Sequence, residues 1–331
     1  MSSIKVDSQC IIDYVDNLKK SSWLGSSRSW WPDFVYHFTD VHNAVKILDT
    51  NQLLSRGVLE TLGHMAIDNA SPDVIYNTDN RWKEYVRLYF RPRTPTQYNN
   101  EGFRPINQLK LGGAHCPIPV YLFFDSKSVL CRENASFSEG SLAAQGHVNV
   151  YYNCEGLNKI PFNLVYHDGP MYPEEKSKIK FHRHAEVIVP REMNLSALRY
   201  IWCRSNAEYE TLMNLLGNNS RKWAGRVGVG TKLNLFFREW TFIEEANLMN
   251  DTIIFKFNPT TRAPGPFTAK VEIYEKATNI TYTWVDENYF ANDKLNLSLT
   301  NLKCPNDYKV KLFFNDNLAY YGNHKEDSIL F

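Results

Sequence analysis

Phe181-His-Arg-His-Ala-Glu-Val-Ile-Val-Pro190 is the stretch on which the reading of this chain turns. Ala185-Glu-Val-Ile-Val189 is a short apolar run closed by Pro190, the pattern of a strand that a proline ends. One carboxylate, Glu186, stands inside it. Side chains alternate along a strand, so Glu186 shares a face with Ile188 and opposes Val187. An ionised carboxylate on an interior face is costly unless it is paired. Taken alone, Glu186 is therefore either half of a structural ion pair with an arginine or the carboxylate of a functional site.

Working outward, Asp33-Phe-Val-Tyr-His-Phe-Thr39 reads as another strand. Residues 41–49 follow with Val41, Ala44, Val45 and Leu48 at helical spacing, and Thr39 or Asp40 can cap that helix. Tyr85-Val-Arg-Leu-Tyr-Phe90 alternates and stops before Pro92, and Ile118-Pro-Val-Tyr-Leu-Phe-Phe124 is a further apolar strand. Residues 205–216 predict a helix capped by Ser205, with Glu208 completing the capping pair. Near the start, Ile11, Ile12, Val15 and Leu18 predict an amphipathic helix. Between Ser126 and Lys180 the signals are weak, and Gly140, Gly156 and Gly169 punctuate polar and aromatic stretches. A long, partly irregular insertion, functional or mobile, is expected there.

After Trp240 the pattern changes to short alternating segments at 252–258, 267–275, 280–285, 295–302 and 308–314, separated by turn residues. Their spacing predicts a small antiparallel β-sandwich of about 90 residues. The expected organisation is a domain over residues 1–242 followed by an immunoglobulin-like sandwich over 243–331.

Composition bounds the function classes. With 43% hydrophobic and 22% charged residues, the chain of 331 residues is an ordinary globular protein and not a disordered one. No run of about 18 apolar residues predicts a membrane span, and the N-terminus does not read as a signal peptide. The six cysteines are dispersed and form no CxxC pair, so neither a zinc site nor a disulfide framework is expected. A reduced, cytoplasmic location and no metal are the corresponding expectations. The net charge is only +1, but its distribution is uneven. Of 37 Lys+Arg and 36 Asp+Glu, 9 and 12 lie from Thr241 onward, leaving 28 and 24 before it. Residues 81–110 and 176–191 are the basic segments, which read either as a local polyanion site or as solvated surface.

Three segments stand out together: Tyr36-His-Phe-Thr-Asp-Val-His-Asn43, Tyr89-Phe-Arg-Pro-Arg-Thr-Pro-Thr-Gln-Tyr98, and the opening stretch around Glu186. In this order, with His115-Cys-Pro-Ile-Pro-Val120 and Arg183-His-Ala-Glu186, they resemble the DarT family of DNA ADP-ribosyltransferases over about 34–216. The resemblance implies an α+β ADP-ribosyltransferase fold, with a split β-sheet core and flanking helices, and NAD as co-substrate. It also implies transfer of ADP-ribose to a nucleobase in DNA, in a bacterial toxin or phage-defence role, with a macrodomain antitoxin as a partner. Thr94-Pro-Thr-Gln-Tyr-Asn-Asn-Glu-Gly102 is more similar to the guanosine-directed branch than to the thymidine-directed one, which typically carries a Met-Leu-Tyr-like sequence there. The β-rich tail departs from the minimal family pattern.

The chemistry asks for these residue types. Cleavage of NAD passes through an oxocarbenium-like state, which a carboxylate stabilises while accepting a proton from the attacking base; Glu186 is the candidate. Arg93, the second catalytic candidate, offers a fixed fork to the cofactor's phosphates. His37, Thr39 and Asn43 are assigned to the cofactor with Arg93, and Tyr98 to stacking on nicotinamide. Lys178, Lys180 and Arg183, with aromatic residues such as Tyr166 and Tyr172, are expected along a single-stranded DNA path. Gly225-Arg-Val-Gly-Val-Gly230 lacks the order of a dinucleotide fingerprint and reads as a turn. The rival readings are an RNA- or protein-directed transferase on the same fold and an inactive nucleic-acid-binding module; NAD consumption separates the last.

Overall fold

The computed structural model describes residues 3–63, 75–76, 78–144 and 147–326. The chain is a mixed α+β protein that divides into two compact units. The first comprises Met1–Thr39, Lys46–Asn99 and Tyr121–Ile201; the second comprises Asp40–Val45, Asn100–Val120 and Trp202–Phe331. This division differs from a break at 242/243.

The first unit is built on strands β1 (Phe34–Asp40), β3 (Tyr85–Tyr89), β4 (Pro119–Asp125), β5 (Ser136–Ser138), β6 (Val150–Tyr151), β7 (Glu186–Pro190) and β9 (Leu198–Cys203). They lie side by side in the order β9-β4-β1-β3-β7-β5-β6. A separate ribbon pairs β2 (Gln52–Leu54) with β8 (Glu192–Asn194). In β4 the residues from Val120 to Phe124 are all buried, so both of its faces are covered and its sequence is a continuous apolar run. In β3, Val86 and Leu88 point into the core, which leaves Tyr85, Arg87 and Tyr89 together on the other face. β3 and β7 run antiparallel with Tyr89 opposite Glu186 and Arg87 opposite Ile188.

The stretch 126–180 is more regular than its sequence predicts. It supplies β5 and β6 and several short helices, and the helix Pro173–His182 begins within it. That helix starts on a proline, with Glu174 and Glu175 in its first turn and Lys180 and His182 in its last, an arrangement that suits the helix dipole. Only Ile179 and His182 of the helix are buried, which is why no apolar stripe announced it.

Cys10 and Cys154 form a disulfide with Cα atoms 6.0 Å apart, which corrects the expectation of no such bond. They are separated by 144 residues in sequence, and pairing depends on spatial distance, which cysteine spacing does not report. The bond joins the N-terminal helix Ser8–Leu18 to the helix Cys154–Leu157.

In the second unit, β10 (Val227–Val229) lies in the glycine-rich stretch read as a turn, and the Gly230 amide donates to the Cys203 carbonyl. The tail forms two antiparallel sheets. One contains β11 (Ile243–Leu248), β12 (Thr252–Phe257) and β15 (Lys294–Ser298) in that order. The other contains β13 (Phe267–Glu275), β14 (Ile280–Tyr289), β16 (Asp307–Phe314) and β17 (Asn317–Lys325) in the order β14-β13-β16-β17. The sequence anticipated five of these strands and missed β11 and β17. The tail's core also takes Phe103 and Ala207 from outside it. Phe103 meets Phe314 edge-on at 5.3 Å, the Tyr320 hydroxyl donates to Glu210 at 2.7 Å, and the Tyr321 amide donates to Thr211 at 3.1 Å. Beside this core, Arg204 is fully buried against Glu101, Glu208 and the Pro117 carbonyl.

Candidate active site

Glu186 begins β7 and is 1% exposed. Its backbone N–H donates to Ser138 Oγ at 3.1 Å, and that hydroxyl in turn donates to the Gly140 carbonyl at 2.8 Å. Arg87 Nε donates to Glu186 Oε2 at 2.6 Å and Arg87 Nη2 to Oε1 at 2.7 Å, a two-toothed ion pair. Burial pushes the Glu186 carboxyl above the usual range, and the Arg87 guanidinium pulls it back down. A carboxylate has about four lone-pair sites, so the pair with Arg87 leaves acceptor capacity on both oxygens. Both readings of Glu186 therefore meet in one residue: it is ion-paired, and it can still accept a further hydrogen bond.

Two neutral histidines flank this pair. His37 Nδ1 lies 3.3 Å from the Arg87 carbonyl, and since a carbonyl can only accept, Nδ1 carries the proton and Nε2 is an acceptor. Burial lowers His37 to about 4. His184 Nδ1 donates to the Lys180 carbonyl at 2.9 Å, which leaves Nε2 to accept from Thr96 Oγ1 at 3.1 Å. Burial lowers His184 to about 4, with Arg87 and Arg91 adding to the effect. The Tyr89 ring lies 6.4 Å from that of His184, and burial beside Glu186 raises its hydroxyl to about 12.

These two histidines carry a pH prediction. Their folded pKa lies below the unfolded 6.5, so the unfolded chain binds more protons between pH 6.5 and 4, and stability is lost as pH falls through that window. His184→Gln keeps a donor and an acceptor without the titration. Between pH 7 and 4.5 the variant is expected to lose less stability than the parent by on the order of 2 kcal/mol. Denaturant melts at the two pH values measure it, and equal losses in both proteins contradict it.

In the same unit, the guanidinium groups of Arg91, Arg93 and Arg183 lie within electrostatic reach of one another and of Asp168. Arg91 is 1% exposed and donates to the carbonyls of Pro92 at 2.9 Å, Val165 at 3.0 Å and His167, and it pairs with Asp168 at 3.3 Å. Burial lowers Arg91 to about 9. Arg91 therefore holds the 165–168 segment in place. Arg183 Nη2 donates to His167 Nδ1 at 2.9 Å, while Arg183 Nε is buried with no hydrogen-bond partner among the described residues. Burial lowers Arg183; Asp168 opposes that shift, and Arg93 and Arg28 add to it. Arg93 itself has φ +57°, a left-handed conformation that a long side chain rarely adopts, and its amide donates to the Tyr121 hydroxyl at 3.0 Å.

The structure thus brings His37 and Glu186 together through Arg87, and Arg93 together with Arg183. Thr39 is buried near the end of β1. Asn43 sits half-buried in the helix Val41–Thr50 and belongs to the second unit. Tyr98 is 37% exposed on the helix Pro95–Asn100. Lys178 and Lys180 are exposed on the helix Pro173–His182. Tyr166 does not serve as a nucleotide platform: it is buried, stacked on Phe162 and Trp23, whereas Tyr172 is exposed. Sequence reasoning missed Arg87, Tyr89, Thr96, Ser138 and His184. The available signal was Arg87 and Tyr89 as alternate positions of an otherwise apolar strand.

Among the described residues no three His, Cys, Asp or Glu side chains are grouped to hold a metal, and no helix is long and apolar enough to cross a membrane. No curated protein matches the chain. Among solved structures, the chain is similar to Thermus sp. 2.9 DarT in complex with ADP-ribosylated ssDNA, at 16% identity and TM-score 0.48, covering 62% of this chain and 97% of that one. The same Thermus enzyme in complex with NAD+ gives 16% identity, TM-score 0.46, and coverage of 62% and 98%. Thermosipho africanus DarTG in complex with ADP-ribose gives 15% identity, TM-score 0.44, and coverage of 66% and 54%. Residues 36–237 match the family described as "ssDNA thymidine ADP-ribosyltransferase, DarT", a span that covers more than half of the chain and includes Glu186, Arg87 and Arg93; the chain belongs to the DarT family.

Proposed function

We propose that this protein transfers ADP-ribose from NAD to a base of single-stranded DNA, with Glu186 as the catalytic carboxylate. The observation that carries the reading is the buried Glu186 carboxylate, held by Arg87 in the same unit as the guanidinium groups of Arg91, Arg93 and Arg183. NAD fits these residues: Arg93 and Arg183, with a buried Nε still to be satisfied, suit a pyrophosphate. When bound, NAD would supply the ADP-ribosyl group, its bond to nicotinamide breaking with nicotinamide as the leaving group while positive charge develops at the ribose.

Glu186 accepts a hydrogen bond from a ribose hydroxyl, stabilises that positive charge, and takes the proton of the attacking base nitrogen. Arg87 is a positioning residue that keeps the carboxylate ionised and oriented. Neutral His37, with Nε2 as an acceptor, orients a hydroxyl, and Thr39 and Asn43 complete the polar set for the cofactor. Tyr98 is exposed enough to stack on nicotinamide. Lys178, Lys180 and Arg183 form the strand path.

Guanosine is the proposed base, supported by the 94–102 stretch, and a macrodomain that removes the modification is the proposed partner in a toxin or phage-defence role. Residues 243–331 are proposed as an accessory β-sandwich that shares its core with Phe103 and Ala207. We place the protein in the cytoplasm, with its substrates; the Cys10–Cys154 bond then faces a reducing thiol pool. Incubation with NAD and each homopolymeric oligonucleotide, single- and double-stranded, followed by mass measurement, tests the reading. One ADP-ribose on single-stranded dG is expected. Addition to dT alone returns the thymidine assignment, and no adduct on any DNA rejects the function.

Arg93→Ala is expected to weaken NAD binding by about 1.5–3 kcal/mol, the scale of a hydrogen bond to a charged group. Calorimetry showing the parent's affinity removes Arg93 from the cofactor site. Arg91 then does not take its place, because its guanidinium already holds the 165–168 segment.

A further inference from the structure

Resting on the reading above, we propose that Arg28 and His167 join Arg183 as ligands of one phosphate group, in a site built on the 166–169 segment of the first unit.

Arg28 precedes the 36–237 span that matches the family. It ends the short helix Ser26–Arg28 and is half-buried. Its Nη1 donates to the Tyr166 carbonyl at 2.5 Å and its Nη2 to the Trp23 carbonyl at 3.2 Å. The guanidinium also lies 5.8 Å from the ring centroid of buried Trp31. Two of its five N–H groups are thus used, and they fix the planar fork while leaving donors for an anion. On the next residue after Tyr166, His167 Nδ1 accepts from Arg183 Nη2 at 2.9 Å. A guanidinium only donates, and burial with the nearby arginines holds the imidazole below its usual range, so the ring is neutral with its proton on Nε2. Nε2 is therefore a further donor. It lies 3.6 Å from where a Cβ on Gly169 would stand, and Gly169 is exposed, so that side of the ring is open to a ligand. Arg183 Nη2 also reaches the Gly169 carbonyl at 3.4 Å. Arg28, His167 and Arg183 are thus tied by hydrogen-bond distances to one stretch of four residues. Asp168, the carboxylate on that stretch, is paired with Arg91 at 3.3 Å. Arg28 and Arg183 repel each other across the segment. A bound phosphate relieves that repulsion, matches the guanidinium forks and accepts from the imidazole. Both substrates of the proposed reaction carry this group, NAD in its pyrophosphate and the strand in its backbone.

The test measures binding to the full chain without turnover. ADP and adenosine probe the cofactor side, and a single strand of about 12 nucleotides, within the range of single-stranded site sizes, probes the DNA side. Arg28→Met is expected to weaken ADP or the oligonucleotide by about 10- to 100-fold, the scale of a lost hydrogen bond to a charged group. Loss on ADP with adenosine unchanged assigns the site to the pyrophosphate. Loss on the oligonucleotide, with the slope of log affinity against log salt flatter by about 0.7, assigns it to a backbone phosphate. Gly169→Ala, whose methyl would rest against His167 Nε2 in ordinary contact, is expected to weaken the same ligand and serves if Arg28→Met folds poorly. Parent affinity for both ADP and the oligonucleotide in both variants overturns the proposal. Equal loss of ADP and adenosine also overturns it, because Arg28 then only supports the fold. A parent that binds neither ADP nor the oligonucleotide overturns the functional reading as well, a result distinct from parent binding with unaltered variants.

Discussion

Glu186→Gln is expected to lower ADP-ribose transfer by about 10²- to 10⁴-fold while the protein keeps its fold, the range for losing a positioned acid–base group. Glutamine preserves the shape of the carboxylate but loses its charge and its capacity to take a proton. Alanine is the poorer test. Breaking a buried pair costs about 3–5 kcal/mol; both variants leave the Arg87 charge uncompensated, but glutamine still offers its guanidinium one acceptor oxygen whereas alanine offers none. A loss of activity in the alanine variant would then mix chemistry with instability. Single-turnover transfer with saturating NAD and oligonucleotide isolates the chemical step, and a melt run in parallel reports the fold. Parent-like turnover in Glu186→Gln would leave the ion pair as the residue's whole role.

Ending the chain after Trp240 is expected to damage the fold of what remains. An independent tail predicts the opposite: a shortened protein that retains NAD-dependent modification. The packing of the second unit decides between them. Phe103 and Ala207, both before the cut, are buried in the same core as Phe255, Val271, Leu312 and Phe314 after it. The cut also strips Glu210 of its bond from Tyr320 and uncovers the helix Asn206–Leu216, along which Thr211 bonds Tyr321. Burial of one large apolar side chain is worth about 1.5–3 kcal/mol, and the lost hydrogen bonds add about 1 kcal/mol each. The expected result is a melting point lower by roughly 10–20 °C or an insoluble product. A truncated protein with the parent's melting behaviour and activity would show that the tail is dispensable.

The local elements were legible in the sequence because each obeys a short-range rule. The apolar run ending at Pro190, the alternation of 85–90 and the Ser205 cap reappear as β7, β3 and the start of the helix Asn206–Leu216, where the Glu208 amide donates to Ser205 Oγ. Glu186 could be singled out because a lone carboxylate in an apolar strand has few explanations, and the order of the short motifs pointed to the family. The sequence by itself determined the fold class, the candidate carboxylate and most strands of the tail. Tertiary structure alone decided the rest. Arg87 became the partner of Glu186 through the antiparallel register of β3 on β7, which connects residues 99 apart. Arg91 and Arg93 look alike in sequence, yet burial against the 165–168 carbonyls commits the first to structure. The Cys10–Cys154 bond and the core shared by Phe103 and the tail likewise join segments remote in sequence. The physical reason is the same in each case: propensity and periodicity act over a few residues, whereas ion pairs, disulfides and packed cores depend on distances that exist only once the chain has folded.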